Sequence, residues 1–212
     1  MCQRGPQPPG FARMENVFLI VGLGNPGADY AKTRHNAGFL LLEKLAAQWR
    51  TTWSNERKFQ ARIARREQGG RLVLLAEPQT FMNLSGESVG ALMRFYQLPL
   101  ARILVAVDDA DLPLGEIRMR PSGGAGGHHG LESVMQHLGS RDYARLRIGI
   151  GRKDQARQIT GHVLGKFSAA ESGLLEQVLE RAGSQLECWL DAGIQKAMSQ
   201  FNGAVSPTNE DT

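Results

Sequence analysis

The sequence predicts a single α/β domain: a mixed, mostly parallel twisted sheet flanked by helices. Three observations lead there. Short apolar runs read as buried strands, longer segments repeat apolar residues at helical spacing, and the two kinds alternate along one chain without an internal repeat or linker. Residues 1–15, with Gly5, Pro6, Pro8, Pro9 and Gly10, read as a disordered extension, and Met14 offers an alternative start of translation. Residues 16–203 are expected to be the domain and 204–212 a flexible tail.

Each element has its own signal. Phe18–Gly22 is a buried-strand pattern, followed by a loop rich in Gly, Asn and Pro. From about Asn36 to Trp49, Phe39, Leu41, Leu42, Leu45 and Ala46 recur at helical spacing. Gln60–Arg65 and Arg71–Ala76, with Gly69-Gly70 between them, predict a hairpin. Leu84–Tyr96 reads as a helix with Asn83 or Ser85 as its cap, Ile103–Val107 as a strand and Glu116–Arg120 as a short alternating strand. After the glycine run Gly123–Gly127 a helix is expected over His129–Leu138. Leu146, Ile148 and Ile150 then alternate as a strand, and Ser168 to about Gln200 makes one or two long helices.

Composition narrows the class. A chain of 212 residues can be served by one core, and 42% hydrophobic with 22% charged residues is ordinary for a globular protein. No apolar run approaches the roughly 18 residues of a membrane span, and the first thirteen residues lack the apolar stretch of a secretory signal. Cys2 and Cys188 have no metal-ligand spacing and fit a reducing cytoplasm. The net charge of +4 is a mild pointer to a polyanion. Arg118, Arg120, Arg141, Arg145, Arg147 and Arg152 add to it, because guanidinium forks suit phosphate oxygens; a merely solvated charged face fits them equally.

Two motifs match signatures whose context they lack. Gly22-Leu-Gly24-Asn-Pro-Gly27 has the dinucleotide-binding spacing, yet Pro26-Gly27 reads as a turn and the helical pattern starts some nine residues later. No helix N-terminus is then placed to meet a pyrophosphate. Gly86-Glu-Ser88-Val-Gly90 matches the serine-hydrolase elbow, with Asp108 and His128 downstream in the matching order. An elbow needs a strand running into the serine, whereas Ser88 falls within a helical pattern. A Ser88 esterase is kept as an alternative.

The polar residues that stand out lie at strand ends: Asn25, His35-Asn36, Asn83 and Asp108. Strand ends are where α/β sheets collect ligand sites. A histidine is the natural general base near neutral pH, a carboxylate behind it can fix its tautomer, and amide side chains can donate to an oxyanion. No cysteine or well-placed serine joins them, so water is the expected nucleophile. A histidine near a helix start also serves as a cap or core residue, and loop asparagines also serve their turns; the residue types leave those readings open.

A resemblance bears on the choice. The blocks Val21-Gly-Leu-Gly-Asn25-Pro-Gly, Tyr30…Thr33-Arg-His35-Asn-Ala-Gly38, Pro78-Gln-Thr-Phe-Met-Asn83-Leu-Ser-Gly86, Asp108-Asp-Ala-Asp-Leu-Pro113 and Gly126-Gly-His-His-Gly130 run through the chain. With Arg145-Leu-Arg147-Ile-Gly-Ile-Gly151 and Val163-Leu-Gly-Lys-Phe167 they resemble the bacterial peptidyl-tRNA hydrolases in order and spacing over about residues 16–200. The resemblance implies that family's fold and hydrolysis of the ester joining a peptide, or an N-blocked amino acid, to the tRNA 3′ ribose. His35 would activate water, Asp108 orient His35, and Asn25 and Asn83 position the peptide and stabilise the tetrahedral intermediate. Tyr30, Phe81 and Met82 would line the peptide groove, while Arg120 and Arg147 match positions that grip tRNA phosphate. It implies peptidyl-tRNA as partner, no cofactor, no metal, no membrane, and a cytoplasmic monomer.

Two positions depart from the family pattern. His129 stands where Asn is usual at a position that helps hold substrate and the reacting water, and imidazole is bulkier though still able to donate. Metal binding by His128-His129 is a poor reading, because adjacent side chains rarely face one ion without further ligands. Glu77 stands where Lys is frequent, and its carboxylate is expected to weaken local attraction for RNA. His129 also motivates a second alternative, a non-catalytic RNA-binding relative of the same fold.

Overall fold

The computed structural model describes residues 16–151 and 159–205. Strand β1 (Val17–Gly22) is buried at every residue but Phe18, as an apolar run without a polar alternate must be when both its faces are covered. It pairs in parallel with β4 (Arg71–Pro78) on one side and β5 (Ile103–Asp109) on the other, and β5 continues in parallel to β7 (Ala144–Gly149). Antiparallel strands close both edges. β3 (Ala61–Gln68) joins β4 and β2 (Trp53–Glu56) joins β3; β6 (Glu116–Arg120) joins β7 and β8 (Gly203–Ala204) joins β6. The order across the eight strands is β2-β3-β4-β1-β5-β7-β6-β8. The parallel character thus belongs to the central four strands, and the edges add the antiparallel share of the mixed sheet.

Helices α1 (Ala37–Gln48), α2 (Ser85–Tyr96), α3 (His129–Leu138), α4 (Ile159–Val163) and α5 (Ala169–Phe201) follow in chain order. Side chains of a strand alternate between its faces, and the core divides accordingly. Ile20, Leu104, Ala106 and Leu146 pack with Leu41 and Leu45 of α1 and Val178 and Leu186 of α5. Their neighbours Leu19, Val21, Val105 and Val107 pack instead with Val89 and Leu92 of α2 and Leu131 and Val134 of α3. The result is three layers with the sheet in the middle.

Several details differ from, or sharpen, the reading of the sequence. The expected hairpin forms, with Gly69 and Gly70 at φ 58° and 73°, the paired positive angles of a tight two-residue turn. β2 had no signal, because Trp-Ser-Asn-Glu is a partly exposed edge with no apolar alternation. Neither Asn83 nor Ser85 caps α2. A 3-10 turn over Met82–Leu84 leads into the helix, Leu84 takes the cap position, and the Ser85 hydroxyl donates back to the Met82 carbonyl at 2.8 Å. The long C-terminal helix is interrupted at Gly193, whose φ of 81° is not helical. Ala204 and Val205, at the start of the expected tail, are still held: Ala204 pairs with Glu116, and the Val205 N–H donates to Gly115. The expected extension at 1–15, the rest of the tail and Arg152 lie outside the described residues.

Candidate active site

Because β1, β4, β5 and β7 run parallel, their C-terminal ends share one edge of the sheet, and the loops leaving them converge there. Asn25 comes from the loop after β1, Met82-Asn83 from the turn after β4, Asp108 from the end of β5 and Arg147 from β7. His35 is the centre of a 3-10 turn, Arg34–Asn36, that runs directly into α1. Two glycines let that turn approach. A Cβ on Gly38 would lie 2.4 Å from the Leu23 amide nitrogen and 2.5 Å from the Ala106 carbonyl oxygen, and one on Gly22 would lie 2.4 Å from the Gly38 carbonyl oxygen. The fingerprint glycine Gly22 therefore serves helix-on-strand packing.

The carboxylate of Asp108 is buried and faces two imidazoles. His35 Nδ1 lies 2.9 and 3.1 Å from its two oxygens, and His128 Nε2 lies 3.0 Å from Oδ1. Hydrogen bonding fixes both tautomers. His128 Nδ1 accepts the N–H groups of Gly130 and Leu131 at the start of α3, at 3.1 and 3.3 Å, so its proton sits on Nε2 and is donated to Asp108. His35 Nδ1 faces a carboxylate and carries a proton, which leaves the lone pair on Nε2. Burial alone would raise the Asp108 carboxyl; His128 foremost and then His35 outweigh it and hold the group well below the usual carboxylate range.

Asn25 is held as tightly. Its backbone N–H donates to Asn36 Oδ1 and its carbonyl accepts from Asn36 Nδ2, both at 2.9 Å, while its own Oδ1 accepts the Met82 N–H at 2.8 Å. With the oxygen engaged, Nδ2 is the group of Asn25 left to donate to something else. Arg34, one residue before His35, is nearly buried. Its guanidinium grips Glu171 at the start of α5 at 2.7 and 2.9 Å, donates to the Ile150 carbonyl at 3.2 Å and lies over the Phe167 ring. The Arg34 N–H also donates to the Gly165 carbonyl, so the segment carrying Val163 and Leu164 is tied to the turn that bears His35.

These groups surround an open cavity of about 770 Å³. Asn25, His35, Phe81, Met82, Asn83, Asp108, His129 and Arg147 all line it, with Val163 and Leu164 as further apolar wall. Tyr30 and Arg120 do not line it. Arg120 is exposed near the outer edge of the sheet, and Tyr30 is half-buried in the turn before His35. Arg147 is not a free cation: its Nε lies 3.1 Å from Asp109 Oδ2, a charge contact without an aligned hydrogen bond. His129 is exposed at the rim, with Nδ1 3.0 Å from Glu132.

A family model described as peptidyl-tRNA hydrolase matches residues 19–210. A peptidyl-tRNA hydrolase of Synechococcus sp. (strain JA-2-3B'a(2-13)) is 47% identical over 187 residues, 88% of this chain and 84% of the relative. Another, from Desulforudis audaxviator (strain MP104C), is 50% identical over 184 residues, 87% of this chain and 92% of the relative. The crystal structure of peptidyl-tRNA hydrolase from Acinetobacter baumannii is similar with a TM-score of 0.84 at 41% identity, covering 90% of this chain and 97% of that one. The chain belongs to the peptidyl-tRNA hydrolase family.

Within that family frame, three expectations need correcting. Ser88 is fully buried on α2 and does not line the cavity, so no serine esterase is built here. Arg145 is buried, donating to the Gly124 and Arg141 carbonyls at 2.9 Å each, which makes it a strut for the glycine run and takes it out of reach of phosphate. Glu77 is also buried, its Oε2 3.0 Å from Arg62 Nη1 on the neighbouring strand, so it does not face RNA. Reading the sequence missed His128 as the second partner of Asp108, and Asn36 as the clamp on Asn25. The signal for His128 was present: a histidine directly before a helix start can accept the free N–H groups there, which forces its other nitrogen to donate.

Proposed function

We propose that the protein hydrolyses the ester between a peptide, or an N-blocked amino acid, and the 3′-terminal ribose of tRNA, freeing the tRNA for reuse. The observation that carries the mechanism is the His35–Asp108 contact. It leaves His35 Nε2 unprotonated and lining the cavity, where it takes a proton from water as the oxygen attacks the ester carbonyl. Asp108 stabilises the imidazolium that forms, and Nδ2 of Asn25 and the Asn83 amide donate to the developing oxyanion. The imidazolium then returns its proton to the departing ribose oxygen. Phe81 and Met82 supply apolar wall for the peptide. Arg120, exposed and without an ion pair among the described residues, suits a phosphate. Arg147 shares its charge with Asp109 and contributes at closer range to the cavity.

His129 retains one imidazole nitrogen beyond its contact with Glu132, enough to replace a single amide donor. The cavity is complete within one chain, which supports a monomer, and a substrate made by translation supports a cytoplasmic setting. The test is single-turnover hydrolysis of N-acetylaminoacyl-tRNA, with unblocked aminoacyl-tRNA and the His35→Ala protein as controls. Release should be confined to the blocked substrate and fall ~10²–10⁴-fold in the variant. Cleavage at the parent rate by His35→Ala would falsify the mechanism.

A further inference from the structure

Beside the catalytic cavity lies a smaller cleft of about 260 Å³, lined among others by Ala28, Ala31, Phe39, Leu40, Arg62 and Gln79. The two spaces meet at Asn25, which lines both. They are also adjacent along the turn after β4: Gln79 lines the cleft, Phe81 the cavity, and between them the buried Thr80 hydroxyl has no hydrogen-bond partner. We propose that this cleft is a second subsite, taking the peptide residues that precede the esterified one; the assignment rests on the hydrolase reading above.

Charge separates the two ends of the substrate. Among the described residues of the cleft lining Arg62 is the one cation, and its Nη1 lies 2.7 Å from Glu43 and 3.0 Å from Glu77. The Glu43 carboxylate answers this guanidinium and the buried Glu77 carboxyl accepts from it as well, so a phosphate would gain little there and meet the Glu43 charge. The half-apolar walls and the Gln79 amide suit a peptide backbone instead. On the other side of the catalytic pair, β7 and β6 carry Arg147, Arg118 and Arg120. The order β3-β4-β1-β5-β7-β6 therefore places the cleft and the arginines on opposite flanks of Asp108. An ester with RNA leaving toward β6 has its peptide leaving toward β3. Three strand spacings of ~4.8 Å separate β5 from β3, a span covered by roughly four extended residues. The cleft would then add contacts for longer peptides without reading a particular side chain.

The experiment measures kcat/KM for tRNAs carrying N-acetylated peptides of one to four residues, with the parent protein and with Ala31→Trp, which puts bulk on the exposed lip of the cleft. The parent should gain about tenfold between one residue and four, and Ala31→Trp should lose that gain. A flat length series in the parent, or the same gain in the variant, overturns the subsite. Equal weakening of every substrate together with deacylated tRNA would put the RNA end in the cleft and overturn it as well. Failure of the parent to cleave any of the series overturns the hydrolase reading itself, a separate result. Ala28→Phe obstructs the same lip and replaces Ala31→Trp should that variant not fold.

Discussion

A buried carboxylate is tolerated where hydrogen-bond donors replace the water it has lost, and Asp108 has two imidazole N–H groups in that role. They differ in freedom. His128 is locked by the N–H groups at the start of α3, whereas His35 presents its second nitrogen to the cavity. One ring thus anchors the carboxylate, and the other is held by it with a second nitrogen free toward the cavity, as the proposed proton exchange requires. Asp108→Asn keeps the shape but removes the negative charge opposite the imidazolium. We expect kcat to fall on the order of 100-fold or more with KM little changed, because Asp108 stands behind His35; steady-state kinetics will show it. A loss confined to KM would mean that Asp108 serves binding.

At the scale of elements, the site depends on how close α1 comes to the sheet. Its first turn lies against β1 and β5 through Gly38 and Gly22, positions where a methyl group would overlap backbone atoms at about 2.4–2.5 Å. Backbone cannot swing aside as a long side chain can, so Gly38→Ala must lift the start of α1. Overpacking of this kind costs ~1–3 kcal/mol, and here the displacement falls on the turn bearing His35. A lower denaturation midpoint together with lost hydrolysis is expected; a fully active, equally stable variant would show that the turn is set from its other side, by Arg34 and Glu171. Helices α1, α2, α3 and α5 were legible, since amphipathic spacing is local, whereas α4, five residues long, is too short to show it. Their caps were less so: the sequence offers Asn83 and Ser85 as equals, and only the preceding 3-10 turn gives the Leu84 backbone the cap position and leaves Asn83 to the cavity.

Across the whole molecule, the most unusual electrostatic choice is Glu77 inside the sheet. Burial, with the Glu43 charge added and Arg62 opposing, pushes its carboxyl up from 4.5 to about 8. The folded protein then binds more protons than the unfolded chain between those values, so stability falls as pH rises through that window. Glu77→Gln removes the titration while leaving an acceptor for Arg62. Its stability relative to the parent should be small in difference at pH 5 and grow in the variant's favour by a few kcal/mol, at ~1.4 kcal/mol per pKa unit, by pH 9. Urea denaturation at both pH values measures this, and a gap independent of pH would rule out a titrating Glu77. Residue type alone pointed the other way, toward a carboxylate weakening the surface attraction for RNA, because exposure cannot be read from a β-strand whose alternate residues are nearly all apolar.

The sequence by itself determined the layered α/β class, most element positions and the residue types at the strand ends, because periodicity and strand-end polarity are properties of a local stretch of chain. The ordered motif blocks carried the family as well. What tertiary structure decided were matters of distance and burial. It brought His35 and Asp108, 73 positions apart, to 2.9 Å. It gave Asp108 a second imidazole, turned Arg145 and Glu77 inward, and kept Tyr30 and Arg120 off the cavity lining. None of these follows from spacing along the chain, since each depends on which strands become neighbours and how closely α1 and α3 approach them.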